Sequence, residues 1–309
     1  MMSFDYSINL AGKRFDNPIF TASGCAGYGK DLAQFFPLSQ LGAMVTKSIA
    51  VKPRSGRATP RIAQTPSGIL NSIGLQGPGI DKFLAEDLPW LSEQGVNIII
   101  SIAGDTKEEF ATLARRMRNV KSIAAIEVNI SCPNVENRGL VFACDPKSAS
   151  GVISQVRESI AGEVPLFAKL TPDVTSIADI AQSVATAGAD GFSMINTLLG
   201  MVIDIHSMKP MLSQKTGGLS GPAIHPIAVR AIYQVHERLP HLPIIGMGGV
   251  QNAEDALQLI LAGASAVSIG TALFANPLAA IEIKNDLEKL LTERNFTNVK
   301  EAVGYAHKS

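Results

Sequence analysis

An eight-stranded parallel β/α barrel, the (β/α)8 or TIM-barrel class, is the fold predicted for this 309-residue chain. Three observations predict it. Eight short apolar runs recur along the sequence, stretches with helical spacing separate them, and the helical stretches carry matching start and stop residues. A run that is apolar throughout fits a strand covered on both faces, as in a parallel sheet. With 46% hydrophobic and 17% charged residues the chain can fill one large core, and about three quarters of its unfolded surface can be buried at this length.

Taken in order, the opening YSINLAGKRFDNP reads as a small hairpin turned at Ala11 and Gly12, expected to plug the face opposite the strand C-termini. The strand runs are NPIFTASG at 17–24, GAMVTKS at 42–48, NIIISIAG at 97–104, AIEVNISC at 125–132, PLFAKL at 165–170, DGFSMIN at 190–196, PIIGMGG at 243–249 and AVSIGTA at 266–272. Helices are expected at 106–118, 148–160, 175–187, 223–238, 252–262 and 277–292. Asp105 or Thr106, followed by Glu108 and Glu109, caps the first of these, and Asn252 before Glu254 and Asp255 caps the fifth. Ser220 is the candidate cap before residue 223, and Pro277 after Asn276 suits a first helical turn. AGADG at 187–191 and AGASA at 262–266 supply glycine where a helix must turn left-handed before the next strand. Two long stretches, 49–80 and 197–221, follow the second and sixth strands and are expected over the barrel mouth as lids or hairpins. A doubly wound sheet is the weaker alternative, because GMGGV at 246–250 lacks the third glycine of GxGxxG and no GxxxxGK[ST] occurs.

Composition narrows the function. Lys plus Arg number 27 and Asp plus Glu 27, which gives no electrostatic drive toward nucleic acid or anionic membrane. The basic run Lys52, Arg54, Arg57, Arg61 is read first as a solvated loop, with phosphate or carboxylate recognition as the other reading. No apolar window is long enough for a membrane span, and the N-terminus lacks a signal peptide's basic head and apolar stretch, so a cytoplasmic location is expected. Cys25, Cys132 and Cys144 form no CxxC pair, and the five histidines form no triad, so no metal site is expected.

The strand ends carry the chemistry. They hold Ser23, Lys47, Ser48, Ser101, Asn129, Cys132, Lys169, Asn196, Thr197, Gly248, Gly249, Gly270 and Thr271. An unpaired buried ammonium costs several kcal/mol, so Lys47 and Lys169 are expected to face a polar cavity with anionic partners. Glycines ending the seventh and eighth strands fit a phosphate received by backbone N–H groups, a region to which SGP at 220–222 can add. Each glycine alone is equally explained by a tight turn. Cys132 stands before Pro133 and between Asn129 and Asn134, which lifts it above the ordinary reading of a small buried hydrophobe that Cys25 and Cys144 keep. Asn71, Asn129, Asn134 and Asn196 offer acceptor and donor together, which suits an imide ring edge and a carboxylate. No strand end offers the carboxylate pair of a glycosidase.

In this order NPIFTASG, TKS, LNSIGLQGPG, NISCPN, FAKL, INT, GGLSGPA, GMGGV and SIGTALF resemble the catalytic subunit of the dihydroorotate dehydrogenases, flavin enzymes of pyrimidine synthesis, across nearly the whole chain. The resemblance implies a single FMN-binding barrel domain over residues 1–309, with one FMN held by Ser23, Lys47, Ser48, Ser101, Asn129, Lys169, Ile195, Gly221, Gly248, Gly249, Gly270 and Thr271. It implies substrate contacts from Lys47, Asn71, Ser72, Ile73, Gly74, Leu75, Asn129, Asn196 and Thr197, and Cys132 as the base that takes the C5 proton of dihydroorotate while hydride leaves C6. A thiol can be tuned toward neutrality by nearby positive charge, and Lys169 would stabilise charge arriving on the flavin. Ser101 stands where many NAD-linked relatives have asparagine, which puts that flavin contact in doubt. Membrane-associated relatives use serine as the base. The wording around TKSIAVKPRSGRATPR and NISCPN resembles the NAD-linked subclass, in which a partner subunit carries FAD and a 2Fe-2S cluster and the catalytic chain is a homodimer within a heterotetramer. Three alternatives stay open: the fumarate-linked homodimeric enzyme, a dihydropyrimidine dehydrogenase, and a non-catalytic barrel that binds a phosphate ligand.

Overall fold

The computed structural model describes residues 4–131, 142–160 and 164–308. Eight parallel strands close into a barrel: β1 (Ile19–Thr21), β2 (Ala43–Val45), β3 (Asn97–Ile102), β4 (Ile123–Asn129), β5 (Leu166–Leu170), β6 (Gly191–Met194), β7 (Ile244–Gly246) and β8 (Ala266–Ile269). Each strand pairs with the next in the chain, and β8 returns to β1 through Val267 opposite Ile19 and Ile269 opposite Thr21. Every strand falls within or overlaps its predicted run. The residues of β1, β2 and β5 to β8 are all buried, the expected result when helices cover one face and the barrel interior the other.

Among the described residues six long helices stand at α1 (Lys107–Met117), α2 (Pro146–Ile160), α3 (Ile177–Thr186), α4 (His225–Arg238), α5 (Ala253–Ala262) and α6 (Ala279–Glu293). Thr106 caps α1 by accepting from Glu109 N–H at 3.2 Å, and the Glu109 carboxylate accepts from Asp105 N–H at 2.8 Å. Asn252 caps α5 through Asp255 N–H. Gly188 (φ 105°) and Gly263 (φ 128°) follow α3 and α5 in the positive-φ region, as their motifs predict. Ser220 is not a cap: it ends a strand, its hydroxyl donates to Ile69 O, and Gly221 precedes the short turn leading to α4. Helix α6 starts at Ala279, two residues after Pro277, while Asn276 Oδ1 accepts from Leu278 N–H.

A helical stretch absent from the sequence reading runs from Ile80 to Ser92. Its buried apolar residues Ile80, Phe83, Leu88 and Leu91 are spaced three, five and three apart, and the five-residue step breaks the 3.6 period. The turn at Phe83–Asp87 widens to π geometry, which keeps Leu88 on the buried side.

The N-terminal hairpin pairs Ile8–Leu10 with Lys13–Phe15 just before β1, and the Phe15 and Phe20 rings lie 5.1 Å apart. The long stretches after β2 and β6 cooperate. Ile62–Thr65 and Gly68–Asn71 form one hairpin, Leu198–Met201 and Thr216–Ser220 form another, and Leu219 pairs with Leu70 to join them into a four-stranded antiparallel sheet. This sheet stands beyond the C-terminal strand ends and roofs the mouth.

Candidate active site

Between roof and barrel lies a cavity of about 320 Å³, in the range of small-molecule sites. Ser23, Lys47, Ser48, Asn71 through Leu75, Asn129, Lys169, Ile195, Asn196, Thr197, Gly221, Gly248, Gly249, Gly270 and Thr271 all line it. Ser101 does not. Its side chain is fully buried behind Ser48, with the hydroxyls 2.8 Å apart, because a serine is too short to reach past its neighbour into the cavity. Cys132 and Asn134 lie outside the described residues.

The barrel brings a lysine and its counter-ion to one level. Lys169, near the end of β5, is 3% exposed, and its ammonium donates to Ser23 Oγ at 2.6 Å and to Glu127 Oε1 at 3.3 Å. Those bonds take two of its three N–H donors. Glu127 on β4 is 1% exposed and also accepts from Ser101 Oγ at 2.9 Å. The expectation of an anionic partner therefore holds for Lys169. For Lys47 it does not: among the described residues no carboxylate lies within 4.0 Å of its ammonium. Burial, with Arg61's charge adding to it, holds Lys47 below the ordinary lysine range.

Glycines shape the opposite wall. Gly248 (φ 133°) and Gly249 (φ 73°) end β7 in conformations that side chains rarely adopt, and a Cβ on Gly249 would stand 2.7 Å from His225 Cβ and 2.8 Å from Gly221 O. His225 braces this loop from α4, its Nδ1 2.9 Å from Gly248 O. Ser268, on β8, points a buried hydroxyl that has no partner among the described residues, and it lines the same cavity. Backbone that only glycine can follow and an unpartnered hydroxyl at the same cavity suit a small anion.

Three lining or supporting residues escaped the sequence reading. Glu127 had a signal: it is the sole acidic residue inside the runs of β3, β4 and β5, where an unpaired carboxylate could not be buried. Arg57 belongs to the run expected as a solvated loop, yet it lines the cavity with Nη1 3.3 Å from Ser72 Oγ. Its neighbour Arg54 does pair at the surface, with Asp105 at 2.6 Å. Cys25 also lines the cavity, and burial pushes its thiol up to about 11 although the charge of Lys169 pulls the other way.

The chain matches the dihydroorotate dehydrogenase family profile over residues 6–291. A protein of Desulforamulus reducens is 49% identical over 306 residues, covering 99% of this chain and 100% of its own. One from Desulforudis audaxviator is 47% identical over 308 residues, with 100% and 99% coverage, and one from a Geobacillus species is 48% identical over 302 residues, with 98% and 96%. The chain belongs to the dihydroorotate dehydrogenase family. All three relatives bear the name dihydroorotate dehydrogenase B (NAD(+)), catalytic subunit. Residues of the motifs that carry the resemblance converge on the cavity from β1, β2 and β4 to β8 and from the roof. As in other barrels, a dihydroorotate dehydrogenase of this build gathers its side chains at the C-terminal strand ends. Among the described residues no helix is long and apolar enough to cross a membrane, and no group of three or more His, Cys, Asp or Glu is placed to hold a metal ion.

Proposed function

We propose that this chain, as one barrel domain over residues 1–309, is the FMN-bearing catalytic subunit of an NAD-linked dihydroorotate dehydrogenase, oxidising (S)-dihydroorotate to orotate in cytoplasmic pyrimidine synthesis. The observation that carries the reading is one cavity lined by Lys47, Lys169, Asn71, Asn129 and Asn196 and by a glycine cradle, in a chain of this family. These residues fit FMN. The backbone at Gly248, Gly249 and Gly221 would receive the phosphate with Ser268 beside it, and Gly270 and Thr271 would close the same end. Lys169 keeps one donor for the flavin ring, with Ser23, Ser48, Asn129 and Ile195 along it. When bound, FMN supplies the hydride acceptor for C6.

The protein's own part is binding, orientation and proton removal. Lys47 has no carboxylate partner among the described residues, so its ammonium is available to the substrate carboxylate. Asn71, Asn129, Asn196 and Thr197 present amides and a hydroxyl to the ring edges, and Ser72 through Leu75 close the cavity from the roof. Cys132 is the proposed base for the C5 proton, on the strength of NISCPN. A barrel that only binds phosphate could use the lysines, but it gives no role to Asn71, Asn129 and Asn196 at the same cavity. Electrons would leave through a partner subunit carrying FAD and a 2Fe-2S cluster, with the catalytic chain as a homodimer in a heterotetramer; the relatives' name, catalytic subunit, supports a partner.

Copurification from the native host followed by acceptor assays tests this. NAD-dependent oxidation of dihydroorotate by a flavin- and iron-containing complex is expected. Turnover with fumarate by the lone subunit would move the chain to the fumarate-linked group, and preference for dihydrouracil would defeat the substrate assignment.

A pH prediction follows from Lys47. Only the ammonium form attracts the carboxylate, and burial makes it lose its proton at lower pH than a solvated lysine does. Orotate affinity should therefore decline on the alkaline side before ordinary lysines titrate. Lys47→Arg, which stays charged throughout, should remove that decline. The same decline in Lys47→Arg would assign it to another group.

A further inference from the structure

The hydrogen bonds around Glu127 have a fixed direction. An ionised carboxylate only accepts, so the single O–H of Ser101 is spent on Glu127 Oε1 at 2.9 Å. At the 2.8 Å contact between Ser101 and Ser48, Ser48 must then be the donor. With its own proton committed, Ser48 Oγ accepts from Asn129 Nδ2 at 3.0 Å. The far side of the same amide is held as well: Ser131 Oγ donates to Asn129 Oδ1 at 3.0 Å, and Asn196 Nδ2 donates to Ser131 Oγ at 2.7 Å. Both ends of the Asn129 amide are thereby specified. The other arm from Glu127 is the ion pair to Lys169, whose side chains are 4% and 1% exposed. One buried carboxylate thus anchors three side chains that line the cavity, Lys169 directly and Ser48 and Asn129 through Ser101, and it does not line the cavity itself.

We propose that Glu127 is a positioning residue for both halves of the site. Its carboxylate aims the Lys169 ammonium at the flavin and offsets its charge. Through Ser101 and Ser48, together with Ser131 on the far side, it fixes which end of the Asn129 amide is offered to the substrate ring. In a water-poor interior such a chain strengthens along its length, and a reversal at one member passes to the next. Glutamine in place of Glu127 can donate to Ser101, which would let the chain run the other way. The inference rests on the flavin and orotate reading above.

The test is a pair of variants in the FMN-loaded subunit, read by two equilibrium measurements. Glu127→Gln removes a negative charge beside Lys169, so reduced FMN, which carries more negative charge, should be favoured. The reduction equilibrium against a reference dye should move at least about tenfold, equivalent to about 30 mV for a two-electron couple. Orotate affinity should fall by about tenfold in the same variant. Ser101→Ala keeps both charges and cuts only the arm to Asn129: it should weaken orotate binding and leave the reduction equilibrium near wild type. A purely structural Glu127 would alter stability without separating the two readouts. Wild-type values for both in Glu127→Gln overturn the proposal. If Glu127→Gln does not retain FMN, unchanged orotate affinity in Ser101→Ala overturns it. A wild-type chain that holds no FMN or no orotate defeats the functional reading and this inference together, whereas a wild-type chain that holds both beside unaltered variants defeats the inference alone.

Discussion

Lys169→Ala is expected to slow anaerobic bleaching of the bound flavin by dihydroorotate about 10²- to 10³-fold, the cost of removing one well-placed donor from developing negative charge. The position leaves no easy substitute. Lys169 sits on β5, 3% exposed, with two of its donors held by Ser23 and Glu127 and the third left for the flavin. Water that enters the space lacks the charge. The same substitution strands Glu127 as an unpaired buried carboxylate, which costs about 3–5 kcal/mol and lowers the melting temperature. Rate and stability must therefore be separated. The double variant Lys169→Met with Glu127→Gln replaces the ion pair by neutral groups, an exchange that is often close to neutral in stability. It should recover most of the melting temperature while bleaching stays slow. An unchanged bleaching rate in Lys169→Ala, measured per bound FMN below the melting range, would remove Lys169 from the chemistry.

Why Lys169 was legible in the sequence and Glu127 was not comes down to spacing. FAKL ends a run, and a lysine there has to reach water or an anion. The eight runs were visible because a barrel strand buries both faces and so cannot alternate. Glu127 lies inside its run, two residues before Asn129, where the surrounding AAI and V hide it in an apolar stretch. Only the packing of β4 against β5, with Asn129 opposite Lys169, shows that it meets the lysine. The roof was half legible. Proline and glycine in 49–80 and 197–221 marked functional loops, but the pairing of Leu219 with Leu70 joins residues far apart in the chain, and no local pattern encodes that contact. Arg57 was hidden for the same reason: its cavity position depends on Ser72, carried there by the roof. Ser101 shows the reverse error. The strand end was found correctly, but side-chain length decides whether a residue enters a cavity or stands behind its wall.

Cys132→Ala should retain the yellow flavin absorbance and lose about 10²- to 10⁴-fold in turnover at neutral pH, the contribution of a positioned general base. Cys132 lies outside the described residues, whereas its neighbour Ser131 and the other candidate thiol, Cys25, lie within them. Ser131, immediately before it, is tied to the cavity wall by bonds to Asn129 and Asn196, both of which line the cavity. The rival is Cys25, which lines the cavity beside Lys169. A base must hold its lone pair as thiolate, and burial pushes the Cys25 thiol up to about 11, so at neutral pH it keeps its proton. Cys25→Ala should accordingly leave turnover within a few-fold of wild type, a small packing change next to Gly270. The two alanine variants thus predict opposite results from residues of the same type near the same flavin. If Cys25→Ala abolished turnover and Cys132→Ala spared it, the proton would leave toward β1 and the reading of NISCPN as the base motif would fall.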